Sequence, residues 1–218
     1  MNNALPLIES FARVPAPAPA PIGIAYDDSR LWIGSVETDR LYAVDPHTGA
    51  ATEEWAVPGT PYGLVARDGE VRVVVGDAES DDRSIARFIV GKGFDAEMIP
   101  CPDATGSWLA SDGETLYLSQ RFEHRILAFD AAGSVQRTIP VRREITGMTI
   151  IGGDLYLLTT ESKEVDDYRL VRLDARGAQP SETEIAGLPL SGRGLAYDGT
   201  RFWTNLREQN ATVSFVLP

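Results

Sequence analysis

Three features of the sequence predict an all-β fold, a five-bladed β-propeller of four-stranded antiparallel blades. One unit of about 40 residues recurs five times, a turn-forming dipeptide stands at the same place in each copy, and an N-terminal segment reads as the missing last strand of the final copy. Radial repetition sealed by such an exchange of strands leaves few exposed edges.

The first unit runs GIAYDDSRLWIGSVETDRLYAVDPHTG from Gly23 to Gly49. It aligns without a gap on WLASDGETLYLSQRFEHRILAFDAAG, which matches Asp27 with Asp112, Trp32 with Tyr117, Arg40 with Arg125 and Asp45 with Asp130. It aligns again on GLAYDGTRFWTNLREQNATVSFVLP, where Gly23 meets Gly194, Tyr26 meets Tyr197 and Trp32 meets Trp203. Units at Gly63 and Gly147 match the first half directly and the second half after short insertions. One domain over residues 1–218 follows, with units beginning near Ile22, Tyr62, Ser107, Thr146 and Arg193.

Within each unit the order is the same: an apolar strand A, a turn, an alternating strand B, a polar loop, strand C, a second turn and strand D. The A-to-B turns are Asp27-Asp28, Asp68-Gly69, Asp112-Gly113, Gly152-Gly153 and Asp198-Gly199. Such dipeptides supply the positive φ of a two-residue hairpin. Leu41 and Ala43 alternate with Tyr42 and Val44, so both faces of the sheet are apolar, as sheets stacked between neighbours require. No stretch has sustained helical periodicity, so almost no helix is expected.

The last unit ends after a third strand, while Ile8 to Pro15 resembles the fourth strands Glu54-Trp55-Ala56-Val57-Pro58 and Arg137-Thr138-Ile139-Pro140. Residues 8–15 are therefore expected to complete the last blade. The Pro-rich run from Ala16 to Pro21 is then the stiff link from strand D to strand A.

The formal net charge of −12, from 20 Lys and Arg against 32 Asp and Glu, excludes nucleic acid and an anionic membrane as partners, because both would be repelled. No apolar run approaches the ~20 residues that span a bilayer. The N-terminus has neither the basic nor the apolar region of a secretory signal. Cys101 is the single cysteine, so no internal disulfide can form. Together these point to a soluble, cytoplasmic protein.

In a propeller the D-to-A links and B-to-C loops emerge on one face around the channel mouth, and three alignment columns there are unusual. The first is Gly23, Gly63, Gly147 and Gly194, with Trp108 as its third member. Glycine suits strands crowded at the axis, so the indole is either a stacking wall for a ligand or a plug in the channel. The second is Glu37, Asp77, Glu161 and Glu208, with Phe122 in the third unit. These acids either converge on a cation or lie on solvated loop tips. The third set is basic: Arg121 and Arg207 share a column, and Arg193 shares one with Tyr62, Ser107 and Thr146. Guanidinium groups there either bind a carboxylate or neutralise nearby acids.

His124 lies on the same face beside Glu123 and reads as a general base or as a solvated loop histidine, whereas His47 lies in a C-to-D turn on the opposite face. Two distant histidines and one cysteine exclude a zinc site. No cofactor is called for, and a divalent cation, calcium or magnesium, is the one that carboxylates in this number could hold. Phosphate-cradling, dinucleotide-binding and nucleophile-elbow motifs are absent from the sequence.

The blade phrases GIAYDDSRLWIGSVETDRLYAVDPHTG and GLAYDGTRFWTNLREQNATVSFVL resemble a broad set of propellers. That set includes the SMP-30/gluconolactonase, NHL-like and YncE-like proteins and the glutaminyl cyclotransferases. The resemblance implies the fold over nearly the whole chain. The lactonases place a metal-binding Glu on the first inner strand, where this sequence has Ile22-Gly23-Ile24-Ala25. The cyclotransferases are compact five-bladed rings with aromatic and acidic pocket residues, which Trp108 and the acid column resemble.

Two functions are compatible with these features. One is a propeller that binds a small polar molecule at the channel mouth and converts it by acid–base chemistry as a lyase, cyclase or hydrolase. Glu161 and His124 would then transfer protons, and Trp108, Arg121, Arg193, Arg207, Tyr62 and Phe122 would bind substrate. The other is a non-catalytic interaction scaffold.

Overall fold

The computed structural model describes all residues except 1–4, 163, 164, 166 and 178. Five antiparallel sheets stand in a ring. Blade 1 is β2 (Pro21–Tyr26), β3 (Leu31–Ser35), β4 (Arg40–Val44) and β5 (Ala51–Ala56). Blade 2 is β6 (Thr60–Arg67), β7 (Glu70–Gly76), β8 (Arg83–Ile89) and the short β10 (Ile99–Pro100), with β9 (Gly93–Phe94) also paired to β8. Blade 3 comprises β11 (Leu109–Ser111), β12 (Leu116–Gln120), β13 (Arg125–Phe129) and β14 (Val135–Pro140). Blade 4 comprises β15 (Glu144–Ile151), β16 (Asp154–Thr160), β17 (Tyr168–Asp174) and β18 (Ser181–Leu188). Blade 5 is β19 (Arg193–Tyr197), β20 (Phe202–Leu206), β21 (Ala211–Phe215) and, from the other end of the chain, β1 (Ala12–Pro15). The helical content of the described residues is two short 3-10 turns, Pro102–Ala104 and Arg207–Gln209.

The exchange of strands is as the sequence predicts. Ala12 pairs with Ser214, Arg13 with Val213, Val14 with Thr212 and Pro15 with Ala211. The segment before it goes further than expected. Ile8 donates its N–H to the Gly187 carbonyl, Gly187 donates to the Pro6 carbonyl, and the Ile8 side chain is 2% exposed in the apolar core of blades 4 and 5. The N-terminus thus ties two blades. Fully burying one Ile stabilises by about 1.5–3 kcal/mol, so this short extension contributes as much as several exposed strand pairs.

The A-to-B turns divide into two kinds. Asp68-Gly69 and Gly152-Gly153 are the expected two-residue hairpins, with positive φ at both positions. In blades 1, 3 and 5 the turn is longer than the dipeptide predicts. There an aspartate folds the loop with its own carboxylate: Asp27 Oδ1 accepts from the N–H groups of Ser29 and Arg30, Asp112 Oδ1 from Glu114 and Thr115, and Asp198 Oδ1 from Thr200 and Arg201. The second oxygen holds the ring five residues on. Trp32 Nε1 donates to Asp27 and Trp203 Nε1 to Asp198, each at 2.7 Å, and the Tyr117 hydroxyl donates to Asp112 at 3.4 Å. The spacing Asp-x4-Trp/Tyr is thus a structural bond, satisfying an indole N–H that burial would otherwise strand.

At the axis the inner strands of neighbouring blades touch. A methyl group at Gly23 would lie 2.0 Å from the Tyr62 carbonyl oxygen, and one at Gly63 would lie 2.4 Å from the Ser107 oxygen and Trp108 Cα. Backbone atoms at that distance cannot yield, which is why the column carries glycine. Four inner strands also slip register at this level, between Pro21 and Ile24, Pro61 and Leu64, Ile145 and Gly147, and Arg193 and Ala196. Such bulges re-aim the side chains in and beside them, here Ile22, Tyr62 and Thr146 within them and Arg193 at the edge of one.

Candidate functional site at the two ends of the channel

The end of the channel ringed by the B-to-C loops is filled. Trp108 is 6% exposed, its Nε1 donates to the Ile145 carbonyl at 2.8 Å, and it shares a core cluster with Ile22, Ile145 and Met148 against which Tyr62 and Val36 pack. Of the two readings of Trp108, its burial and its satisfied N–H fit the plug. Tyr62 is half-buried and covered by the Arg83 guanidinium, 3.5 Å from its ring centre.

Around this filled end the other predicted residues are spread over the loops. Glu37, Asp77, Glu161 and Glu208 are each exposed. Asp77 spends its carboxylate on the N–H groups of Glu79 and Ser80, which hold it below the usual carboxylate range. Among the described residues no three His, Cys, Asp or Glu side chains are grouped as a metal site would need. Phe122 is 72% exposed, with the Arg121 guanidinium 5.5 Å from its ring. His124 is half-buried and takes a positive φ of 48° in the loop between β12 and β13, with its carbonyl accepting from Val141. Arg207 is exposed in the 3-10 turn after β20.

The structure adds partners that the alignment does not show. Arg121 Nε donates to Glu144 at 2.7 Å in a pair where both side chains are mostly buried. Arg143 pairs with Asp167, whose carboxylate also accepts from Thr160 Oγ1 and the Glu161 N–H. Burial raises the Asp167 pKa, but the Arg143 bond and the Glu161 N–H outweigh it, leaving the group below its ordinary value. Arg193 Nη1 donates to the Tyr168 hydroxyl at 2.7 Å. Arg121 is thus neutralised, while Arg193 has no carboxylate partner among the described residues. Glu144, Asp167 and Tyr168 carry no common column, and only the packing of blades 3, 4 and 5 brings them to these arginines.

The opposite end, ringed by the A-to-B turns, is hollow. A cavity of about 340 Å³ is walled by all five inner strands: Ile24 to Asp28, Leu64 to Asp68, Leu109 to Ser111, Met148 to Ile150 and Leu195 to Tyr197. Ile24, Leu64, Leu109, Met148 and Leu195 stand along its strands with their side chains buried in the cores between blades, and its rim carries Tyr26, Asp28, Asp68, Ser111, Thr149 and Tyr197. The Tyr26 phenol is held above its usual pKa by burial and then by Asp198, Asp28 and Asp27, so three carboxylates bear on one ring. A second cavity of about 320 Å³ opens beside it between blades 2 and 3 and shares Arg67, Asp68 and Ser111 with it. None of the residues predicted for a site lines either cavity. The sequence did hold a signal, since Asp27, Asp28, Asp68 and Asp198 recur in the turns, but turn chemistry alone accounts for aspartate there.

A ring of five such blades with a filled and a hollow axial end defines the class of protein, a five-bladed β-propeller. No sequence-family model matches the chain, and no curated protein matches it. Solved structures do. Glutaminyl cyclase from Myxococcus xanthus superposes with a TM-score of 0.73 at 10% identity, covering 95% of this chain and 96% of that one. A catalytically inactive virginiamycin B lyase from Staphylococcus aureus with quinupristin gives 0.53 at 14% identity, over 94% and 83%. BamB from Moraxella catarrhalis gives 0.51 at 14% identity, over 90% and 83%. At these identities the likeness is one of fold. No helix among the described residues is long and apolar enough to cross a membrane.

Proposed function

We propose that this propeller binds a small polar molecule carrying a positively charged group, at the hollow end of its axial channel. The observation that supports it most is the cavity itself, which all five inner strands wall beneath a rim of carboxylates, hydroxyls and tyrosines. A volume near 340 Å³ suits a small metabolite. Asp28 projects from the rim without an ion-pair partner among the described residues, Asp68 shares its charge with Arg67 at 3.2 Å, and Tyr26 and Tyr197 stand beside them. The overall charge of −12 adds a field of the same sign.

Binding is favoured over conversion because the predicted proton-transfer groups, His124 and Glu161, belong to loops at the other end of the strands. The test is titration with choline and short alkylammonium ions, followed by calorimetry and by shifts of the tyrosine resonances. Asp28→Asn is expected to weaken binding about fivefold, the worth of one exposed unit charge at ~4 Å in water, ~1 kcal/mol. The reading is lost if no ammonium compound binds, or if Asp28→Asn binds as tightly as the parent protein.

A further inference from the structure

We infer that the seam between blades 4 and 5, on the loop face opposite the cavity, is a second binding site, and that it takes the carboxylate of a small organic acid through Arg193. Arg193 carries a charge with no counter-charge among the described residues. Arg193 is half-buried, and among the described residues only its Nη1 is engaged, by the Tyr168 hydroxyl at 2.7 Å and the Gly192 carbonyl at 3.0 Å. Both partners are neutral. Partly desolvating a guanidinium costs free energy that a carboxylate normally offsets, and Nε and Nη2 still have donors to give.

The group is held in place. Arg193 opens β19 at the edge of the bulge, in register with Asn205 and flanked by Gly192 and Gly194. A side chain at Gly192 would strike Leu158 and Thr204, and one at Gly194 would strike the Ile22 carbonyl and Ile24. Tyr168, 3% exposed, fixes the far end and receives a second hydrogen bond, from Ser191 Oγ at 2.9 Å. Its ring also lies 5.6 Å from the guanidinium carbon. A planar fork oriented before a ligand arrives loses little entropy on binding, which suits a bidentate carboxylate.

The ionic surroundings favour one class of ligand. Glu144 is engaged by Arg121, and Asp167 by Arg143 and, at 3.9 Å, by Arg169, which in turn pairs with Glu184. Arg193 is in no ion pair among the described residues, so its single positive charge matches a monoanion, and the net charge of −12 disfavours a dianion such as phosphate.

Calorimetric titration of the full chain with acetate, propionate and inorganic phosphate tests this, with melting followed for every variant. The carboxylates are expected to bind and phosphate to bind more weakly. Arg193→Met is expected to weaken acetate at least tenfold, and Arg193→Lys to weaken it several-fold, since it keeps the charge and loses the fork. Arg142→Gln removes an equal charge from the same face, where its side chain is 81% exposed, and should leave binding unchanged. The inference is overturned if no carboxylate binds, if Arg193→Lys equals the parent protein, or if Arg142→Gln weakens acetate as much as Arg193→Met. If Arg193→Met does not fold, Tyr168→Phe takes its place and must weaken acetate to sustain the proposal.

Discussion

At one end of the axial channel Trp108, Tyr62 and Val36 close the axis over Ile22 and Ile145, while at the other the same five strands stand around a cavity of about 340 Å³. The strands are equivalent by repeat, so the difference comes from single positions. Four blades put glycine where backbones crowd, and the third puts an indole there, large enough to fill the space that the others leave. At the hollow end the positions two residues further along carry Ala25, Val65, Ala110, Thr149 and Ala196, beneath turns that place carboxylates on the rim. Near-symmetry builds the channel, and one departure from it decides which end is filled.

The largest effect is expected from opening the ring, since both ends depend on closure. Removing residues 1–15 exposes the edge of β21 and uncovers the pocket of Ile8, and should abolish a single cooperative melt or lower it by well over 10 °C. An unchanged melt would show that strand exchange contributes nothing. Trp108→Ala comes next. It empties the filled end and strands the Ile145 carbonyl, for an expected loss of about 3–5 kcal/mol in denaturant unfolding, while choline binding at the far end persists. Loss of choline binding in a folded variant would mean that the two ends are one site.

A smaller effect is expected at the turns. Asp198→Ala removes the acceptor for Trp203 Nε1 and for two backbone N–H groups and should cost about 1–3 kcal/mol. It should also flatten the acid limb of the stability curve. Burial raises the Asp198 pKa, but the N–H groups of Arg201 and Trp203 outweigh it, so the carboxylate lies below its unfolded value. Its contribution is therefore complete above about pH 4 and is lost as the pH falls through the folded value. An equally steep acid limb in Asp198→Ala would exclude this bond as a source of it.

The mildest test sharpens the contrast in accessibility. Cys101 is 4% exposed in the link that leads to the filled end, and burial pushes its thiol up to about 12, against a smaller opposing pull from Arg83. A thiol reagent at pH 8 should leave it unmodified until the protein unfolds. The raised value also means that its stabilising effect is full below about pH 9, the ordinary thiol range, and fades as the pH climbs through 9 to 12. Rapid labelling at pH 8 would show that the link opens.

The number of blades and their strand order were legible in the sequence because they rest on local rules that recur from unit to unit, strand alternation, turn residues and, in four of the five units, glycine at the crowded axis, while the closing strand was legible from its likeness to the other fourth strands. It also marked Trp108 and Arg193 as departures from the repeat. Only the packing of the blades shows that Trp108 is buried with its N–H satisfied, that Glu144 neutralises Arg121, and that Arg193 donates to the Tyr168 hydroxyl. Those contacts join different blades, and a repeat alignment reports what stands at equivalent places without saying which neighbour lies across the seam. The hollow end was hidden for a related reason: its aspartates are the residues that turns demand in any case, and only the closed ring turns them toward a common space.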